Sequence, residues 1–448
     1  MSGFSRIPDT SELSIRTLND QLQGLWNKVL GNIGQQDLTL QLQEQLAKGG
    51  GDALPGGGVE CLNGRPLYDG SAVRLYVSPT GSDTNDGLSA AKAFASIKRA
   101  WASVPIYCEQ DAQIVLAAGT YYEFVELYGP FYGNLRIYTT NATLHGNIAI
   151  RGCTGKISIE KLKIAALEKG ALRLDAPGGL LAVTSCDIDC CAISSCAAVD
   201  VAQGSALVGY TNVYNSSWAT LAVNNLGRLH TNSCGGYNNT GYGINAENGA
   251  IVSGIGTVPA NTRGNRLLTG ARCLDELTTG TVAAQVIGTG CKIARFAATA
   301  ASGSEGVAFA EGALAQGQQE KQGARGAFWF FNATTIANTL SNKTPLAAEL
   351  KIQRSCTGGK PGKVGIHLYE HALGGATGIA ARGMDLGVLR MADLGEVVSI
   401  RLPLSTVERL KSGAAKGICA YSDLPDGSDY MEFAGHAAFR AQLIVIYQ

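Results

Sequence analysis

Charged residues are scarce in this sequence, and neither sign is in excess. Asp, Glu, Lys and Arg make up 16% of the 448 residues, and the formal net charge is +0. That fraction lies below the roughly 25% that is typical of soluble domains. A nucleic-acid-binding protein or an anchor for anionic membranes would carry a basic face. We therefore expect no nucleic-acid partner.

Long apolar runs are also missing. No stretch of about 18 uninterrupted apolar residues occurs, so no membrane insertion is expected. The first residues, MSGFSRIPDT, contain no apolar segment, and we expect no secretory signal.

The 12 cysteines lack the spacing of a zinc site. The cluster CDIDCCAISSC has no CxxC pair and no His nearby. We interpret these cysteines as free thiols that act as small core residues, and we expect no metal and no cofactor.

Glycine and small residues are abundant instead. The 58 glycines follow no collagen-like period, and they accompany many Ala, Ser, Thr and Asn residues. This composition favours short strands and tight turns over helical bundles.

A short heptad pattern occupies residues 1–48. Its apolar positions step by three and four residues, which predicts a helix that pairs with identical helices or docks on another surface. We interpret the segment as a trimerisation and attachment helix, and an amphipathic helix lying on its own domain is the alternative. The Gly-rich residues 49–73 are interpreted as a linker. The positions of the heptad pattern are Ile15, Leu18, Leu22, Leu25 and Val29.

A repeat of about 22 to 27 residues follows, within the range of solenoid proteins. Each unit contains one alternating aliphatic pair, and a single unit cannot bury its inner face alone. Stacked units can, so residues 74–262 are predicted to form a parallel β-helix. A β-sandwich without a fixed period is the alternative. The aliphatic pairs are Leu172/Leu174, Val199/Val201, Leu221/Val223 and Ile244/Ala246.

The stretch LYVSPTGSDTNDGLSAAKAFASIKRAW, residues 75–101, places many turn-forming residues before a short helix. A solenoid end exposes core and strand edges and needs a cap, which a helix over about 90–102 can supply. The stretch resembles the opening of right-handed β-helix domains in bacteriophage tailspikes and polysaccharide-acting surface enzymes. The resemblance implies the fold, and members that only bind share it with catalytic members.

Residues 263–325 are interpreted as a connector or stalk, and residues 326–448 as an antiparallel β-sandwich. The second region resembles the jelly-roll-like adhesion domains of phage tail fibres, and LNDQLQGLWNKVLGNIG near the start resembles their attachment helices. The predicted fold class is mainly β: an N-terminal coiled-coil-like helix, a right-handed parallel β-helix and a C-terminal jelly-roll-like sandwich.

Candidate catalytic residues are carboxylates on one outward face of the β-helix, since glycosidases use two such groups about 5 to 9.5 Å apart. No acidic pair recurs on successive units, so catalysis is the alternative. The candidates are Asp187, Asp189, Asp200 and Glu247.

Candidate glycan-binding residues combine aromatic rings, which stack on sugars, with polar groups that bind hydroxyls. They are Tyr214, Trp218 and Tyr237 in the β-helix, and Tyr369, His371, Tyr421, Asp423, Asp426, Asp429 and Tyr430 in loops or strand ends of the sandwich.

Together these features predict a homotrimeric phage tail fibre or tailspike, made in the host cytoplasm and carried on the virion tail. Residues 1–48 would bind a tail or baseplate protein, the β-helix would be the shaft, and the sandwich would be the tip that binds a host-surface polysaccharide. The alternative is a polysaccharide depolymerase, and a secreted bacterial adhesin is less favoured.

Overall fold

The structure, a computed structural model, describes part of the chain. The chain divides into two units, Met1–Glu60 and Cys61–Gln448, and every described residue belongs to the second. The predicted helix of residues 1–48, with Ile15, Leu18, Leu22, Leu25 and Val29, lies outside the described residues. The described residues are 61–62, 65–66, 68–69, 72–285, 287–288, 290–303, 314–319, 323–355, 366–373, 383–389, 395–421, 430–435 and 438–448.

Residues 74–280 form a parallel β-helix, and their described strands make about seven turns. This confirms the mainly β class and the parallel β-helix of the prediction. Three parallel sheets, called faces A, B and C, surround the core, and four long strands bend at a corner and serve two faces.

Face A consists of Arg74–Val77, Ala112–Leu116, Asn134–Thr139, Lys156–Glu160, the second halves of Leu172–Thr184 and Ala197–Gly209, Arg228–Asn232, Ile251–Ile255 and Arg272–Cys273. Face B consists of the first halves of Gly119–Tyr128 and Ala142–Arg151, then Lys163–Ala165, Asp187–Asp189, Asn212–Tyr214, Gly235–Tyr237, Thr257–Pro259 and Thr278–Gly280. Face C consists of the remaining halves of those four strands, then Ala219–Val223, Tyr242–Glu247 and Gly264–Thr269.

The coils are numbered from the N-terminal end. Each begins on face A, and a partial coil, residues 272–280, follows the last. Coils 1 to 7 are residues 112–128, 134–151, 156–175, 180–203, 205–223, 228–247 and 251–269.

The aliphatic repeat forms the core of this stack. Leu172, Val199, Leu221 and Ile244 lie in one column of the register, and Leu174, Val201, Val223 and Ala246 lie in the next. All eight residues are buried. The predicted repeat is therefore correct in its inward positions.

Left-handed backbone at the corners explains the recurrent Ser, Asn and Gly residues. Between faces A and B the positive φ belongs to Ser185, Tyr210, Ser233 and Gly256 in successive coils. Between faces B and C it belongs to Asn215 and Asn238, since Asn tolerates this conformation better than most residues. Asn238 Nδ2 donates to Asn215 Oδ1 at 2.7 Å, so these two Asn side chains stack along the solenoid axis at this corner.

The turn-rich stretch at residues 78–96 caps the first coil. Helix α1, Ile97–Ser103, is shorter than predicted, because Ala93–Ser96 is extended and Phe94 pairs with Val77. Asp83 accepts hydrogen bonds from the N–H groups of Ala95 and Ser96, and Glu123 accepts from those of Ile97 and Lys98. Both carboxylates lie at the positive end of the helix, where they satisfy its free donors.

The other end of the solenoid is partly covered by its own last turns. The side chain of Asn265 donates to the carbonyl of Leu277, and Arg266 donates to the carbonyl of Asp275. Leu268, at an inward register position, is 37% exposed because no full coil follows it.

The C-terminal domain has two larger antiparallel sheets in its described part. The four-stranded sheet has the order Lys292–Ala297, Gln442–Tyr447, Pro345–Gln353, Val397–Leu402. The five-stranded sheet has the order Ala300–Gly303, Ala327–Phe330, Gly417–Tyr421, Ile366–His371, Asp385–Leu389.

Smaller elements complete the described part. Helices α2, Ala333–Thr339, and α3, Leu404–Ser412, contribute Ile336, Val407 and Leu410 to the core between the sheets. The remaining elements are the 3-10 helix Ala90–Lys92 and the strands Cys61–Leu62, Arg65–Pro66, Tyr68–Asp69, Tyr107–Cys108, Leu314–Gln319, Gly323–Arg325 and Tyr430–Phe433.

Strands extend into both sides of the region interpreted as a connector, residues 263–325. Gly264–Thr269 and Thr278–Gly280 continue the solenoid. Lys292–Ala297 already pairs with the last strand of the chain, Gln442–Tyr447. The stretch without named strands that joins the two domains is therefore short. We call residues 281–291 the return segment.

The C-terminal domain packs against the capped end of the solenoid. Phe124, on coil 1, contacts an apolar cluster with Ala347, Ile444 and Ile446. Arg401 donates to the carbonyl of Ala95 in the cap at 3.2 Å. Among the described residues, the C-terminal domain therefore lies against the capped end of the solenoid.

Candidate functional site

The return segment crosses the outside of face B from the last coil toward the first. Thr281 pairs with Gly236 on coil 6, and Gln285 lies 3.2 Å from the hydroxyl of Tyr214 on coil 5. The N–H groups of Ile287 and Gly288 then reach Asp189 on coil 4. Because the return segment runs from coil 6 toward coil 4, it leads the chain back to the capped end, where the C-terminal domain begins.

Asp189 holds the return segment against face B. One carboxylate oxygen accepts from Ile287 N and Gly288 N at 3.0 and 3.3 Å. The other accepts from Cys191 N and Asn215 Nδ2 at 2.8 and 2.9 Å. The side chain is 1% exposed, and both oxygens are occupied. Asp189, a candidate catalytic acid from sequence, is placed as a structural anchor.

Asp187 points outward from the same strand but remains half-buried. It accepts a hydrogen bond from Asn212 Nδ2 at 2.9 Å, and the Tyr214 hydroxyl lies 3.4 Å away. Burial, with the charge of Asp187, raises the pKa of Tyr214 to about 12. Tyr214 is 3% exposed, so its ring is not a platform for a sugar.

Asp200, on face C of coil 4, is a half-buried carboxyl group that lies close to Arg173 and Asp175. Burial raises its pKa, Arg173 at 3.3 Å opposes that shift, and the charge of Asp175 adds to it. Gly170 packs beside Asp200. A Cβ atom added to Gly170 would lie 3.8 Å from Oδ2 of Asp200. Asp175 was missed from sequence, although its alternation with Arg173 along one strand would have indicated it.

Glu247 lies on face C of coil 6 and accepts a hydrogen bond from Asn245 Nδ2 at 2.8 Å. Coil 5 separates it from Asp200, and on that coil the fully buried Ala222 lies level with Asp200 in the register. The structure therefore does not place Glu247 in direct contact with Asp200.

A buried ion pair joins the C-terminal domain to the cap. Lys98 Nζ lies 2.7 Å from Glu349 Oε2, which also accepts from the Ser399 hydroxyl at 2.5 Å. Burial alone would raise the pKa of Glu349, but Lys98, Ser399 and the Phe124 N–H together hold it below its usual value.

The sandwich candidates that the structure describes are not on an open surface. Tyr369 is 8% exposed because it packs in a cluster with Phe328, Phe330 and Cys419. His371 is 1% exposed, and the rings of Phe328 and Phe330 contact it. Burial lowers the pKa of His371 to about 4, and its Nε2–H donates to the Trp329 carbonyl. Asp423, Asp426 and Asp429, and the side chains of Tyr421 and Tyr430, lie outside the described residues.

The open aromatic residues of the solenoid differ from those expected. Tyr237 is 44% exposed and Trp218 is half-buried, so these two remain available. Tyr210, at the edge of face A, is 60% exposed.

No arrangement for a metal or a membrane span is found in the described part of the chain. No group of three or more His, Cys, Asp or Glu there is placed to hold an ion. Cys186, Cys190 and Cys196 of the sequence cluster are buried in the solenoid core. No helix there combines the length and the apolar character that crossing a bilayer requires.

Comparison with known proteins adds little to this geometry. No protein-family model and no curated protein matches the chain. Among solved structures, it is similar to the enzymatically active domain of tailspike protein 4 from bacteriophage CBA120, at 9% identity and a TM-score of 0.16. The match covers 84% of this chain but only 64% of that structure. A likeness this weak carries no argument about function.

Proposed function

We propose that this chain is a bacteriophage tail fibre or tailspike protein that binds a host-surface glycan. The observation that supports this most directly is the capped solenoid, which holds outward side chains in straight columns. Neighbouring coils repeat at about 4.8 Å, so one face offers many equivalent contacts to an extended polymer. The tailspike-like sequence of the cap, residues 75–101, supports the same proposal.

Attachment and assembly complete the proposal. Residues 1–48 dock on a tail or baseplate protein, and three copies assemble through the same helix. Trimeric presentation strengthens weak glycan contacts, because the second and third contacts are intramolecular.

Two measurements on the full chain test this function. Light scattering during gel filtration should give three times the 46.6 kDa chain mass. Surface polysaccharides extracted from a panel of bacteria should include at least one that the immobilised protein retains. A monomer that retains none of them would overturn the proposal.

A depolymerase is the second candidate, and Asp200 favours it. A half-buried carboxyl group with a raised pKa, next to a second carboxyl group, suits a general acid. Incubation with the retained polysaccharide should then release reducing ends or unsaturated uronates. Asp200→Asn should abolish release, and Asp111→Asn, at an exposed carboxylate outside the candidate set, should not. Binding without products would leave the attachment function alone.

A further inference from the structure

The outward side chains of face A change character halfway down the solenoid. On coils 1 to 3, called upper face A, charges of both signs are present and pair. Arg136 forms two hydrogen bonds to Glu160, at 2.7 and 2.6 Å, and its guanidinium lies 4.6 Å from the ring of Tyr138. Upper face A therefore keeps one cation outside this pair, the exposed Lys156.

Coils 4 to 7 and Arg272, called lower face A, carry cations without carboxylates. Arg228 and Arg272 are exposed, and neither forms an ion pair with a described residue. The described carboxylates nearest to Arg272 along the chain are Asp275, which accepts from the Gly254 N–H, and the exposed Glu276. The outward residues of lower face A are Leu180, Ala182, Thr184, Ser205, Leu207, Gly209, Arg228, His230, Asn232, Ile251, Ser253, Ile255 and Arg272.

The two arginines belong to one column of the register. Ile251 lies between Arg228 and Arg272, so their Cα atoms are two coils, or about 9 to 10 Å, apart. Two cations at a fixed spacing along a straight column suit a polymer that carries regularly repeated negative charge. The side chains can swing apart or together, so the spacing tolerates more than one repeat length.

Apolar and hydroxyl-binding groups adjoin this column. Leu207 is 42% exposed and Ile255 is 66% exposed, on the coils above and below His230. His230 Nδ1 and Ser253 Oγ lie 2.9 Å apart and form a polar pair between these two apolar side chains. Apolar patches beside hydroxyl-binding groups suit the two sides of a pyranose ring.

Tyr210 provides a second, independent observation. Its φ is 51°, a conformation that costs a bulky residue free energy, and equivalent corners use Ser233 and Gly256. Its ring is 60% exposed, so burial does not repay this cost. An aromatic ring held outward at the edge of lower face A is the expected form of a stacking platform.

We propose that lower face A binds an acidic polysaccharide that runs along the solenoid axis. Arg228 and Arg272 bind its anionic groups, and Tyr210, Leu207 and Ile255 contact its sugar rings. The proposal rests on the glycan-binding function and names the class of glycan. Carboxylate and phosphate groups share the required chemistry, because Arg binds both through paired N–H donors.

Affinity electrophoresis of the full chain tests this proposal. The probes are polygalacturonate, which carries carboxylates, a glycerol-phosphate teichoic acid, which carries phosphates, and neutral dextran. We expect retardation by at least one anionic probe and none by dextran. Retardation should weaken as salt rises, because exposed charges are screened. The anionic probe that retards more strongly identifies the source of the charge.

Matched variants distinguish binding at lower face A from nonspecific attraction of the anionic probe to any cation on the surface. Arg228→Gln with Arg272→Gln should weaken binding to the retarding probe about tenfold or more, which corresponds to losing about 1.4 kcal/mol. Lys156→Gln removes an exposed cation from the same column on coil 3. It should change the affinity for the probe less than about twofold, as expected for a charge at the rim of a binding surface. Tyr210→Ala should weaken binding at constant salt dependence.

The outcomes are distinct from those for the function itself. If extracted host polysaccharide binds while the double variant binds it unchanged, the glycan function stands and this proposal falls. Equal losses from Lys156→Gln and from the double variant would also overturn it. Retardation by DNA of similar charge that exceeds retardation by both glycan probes would replace the polysaccharide with a nucleic acid. If no polysaccharide of any kind binds, both proposals fall.

Discussion

The solenoid and the C-terminal domain differ in the sequence separation of the residues that contact each other. It is short and regular in the solenoid and long in the C-terminal domain. In the solenoid, residues of neighbouring coils meet at short, regular separations, such as the 23 residues between His230 and Ser253. In the C-terminal domain, Lys292–Ala297 pairs with Gln442–Tyr447 at the other end of the domain. A repeat is therefore visible in the sequence of the first region, while the pairing of the second leaves no local pattern.

The largest expected effect comes from equal cavities in the two cores. Leu221→Ala and Leu350→Ala both truncate fully buried side chains, and each should lower the free energy of unfolding by about 2 to 5 kcal/mol. Coils contact only their neighbours, so Leu221→Ala should raise hydrogen exchange mainly in coils 4 to 6. Leu350→Ala should raise it across both C-terminal sheets. A uniform increase across all coils for Leu221→Ala would contradict this contrast.

Next in size is the ion pair that joins the two regions. Glu349→Gln leaves the Lys98 ammonium without its anion in a nearly dry site and should cost about 3 kcal/mol. Glu126→Gln breaks the more exposed pair with Arg151 and should cost about 0 to 1 kcal/mol. Urea unfolding followed separately in each region measures both. Similar losses for the two variants would show that the interface is not a buried electrostatic contact.

A change of about the same size in the free energy of unfolding is expected with pH, and it should occur in the C-terminal domain alone. The pKa of His371 falls from 6.5 to about 4 on folding because burial favours the neutral ring. Its stabilisation is complete above pH 6.5 and declines as the pH falls toward 4, where the unfolded chain binds a proton that the folded chain does not. The decline should approach about 3 kcal/mol.

Urea unfolding at pH 7 and at pH 4.5 checks this effect. His371→Gln should flatten the pH dependence, because it removes the buried ring that cannot bind a proton in the folded chain. An identical pH dependence in the wild-type chain and His371→Gln would assign the effect to other groups.

The smallest expected effect concerns the return segment. Asp189→Asn keeps the size of the side chain but exchanges an anionic acceptor for an amide, which should cost about 1 to 2 kcal/mol. Limited proteolysis should then cut residues 281–291 faster, while Asp187→Asn should change the rate little. Unchanged cleavage in Asp189→Asn would remove Asp189 from its role as an anchor.

The sequence predicts the features that recur at a short spacing or follow a local motif, and it does not predict contacts between distant parts of the chain. The pairs from Leu172/Leu174 to Ile244/Ala246 gave the inward columns, and the stretch 75–101 gave the cap. The contact of Phe124 with Glu349 joins residues 225 positions apart. No periodicity records such a contact, so the position of the C-terminal domain could not be inferred. The burial of Asp189 under Ile287 could not be predicted either, because these residues lie 98 positions apart.

The return segment makes the length of the solenoid an adjustable quantity. Because the cap and the C-terminal domain meet each other, all coils beyond the first are topologically one long insertion between them. Adding a coil moves the far end by about 4.8 Å, which an extended chain spans with roughly one and a half residues. Whole coils can thus be gained or lost in evolution or by engineering, provided that residues 281–291 grow or shrink in proportion.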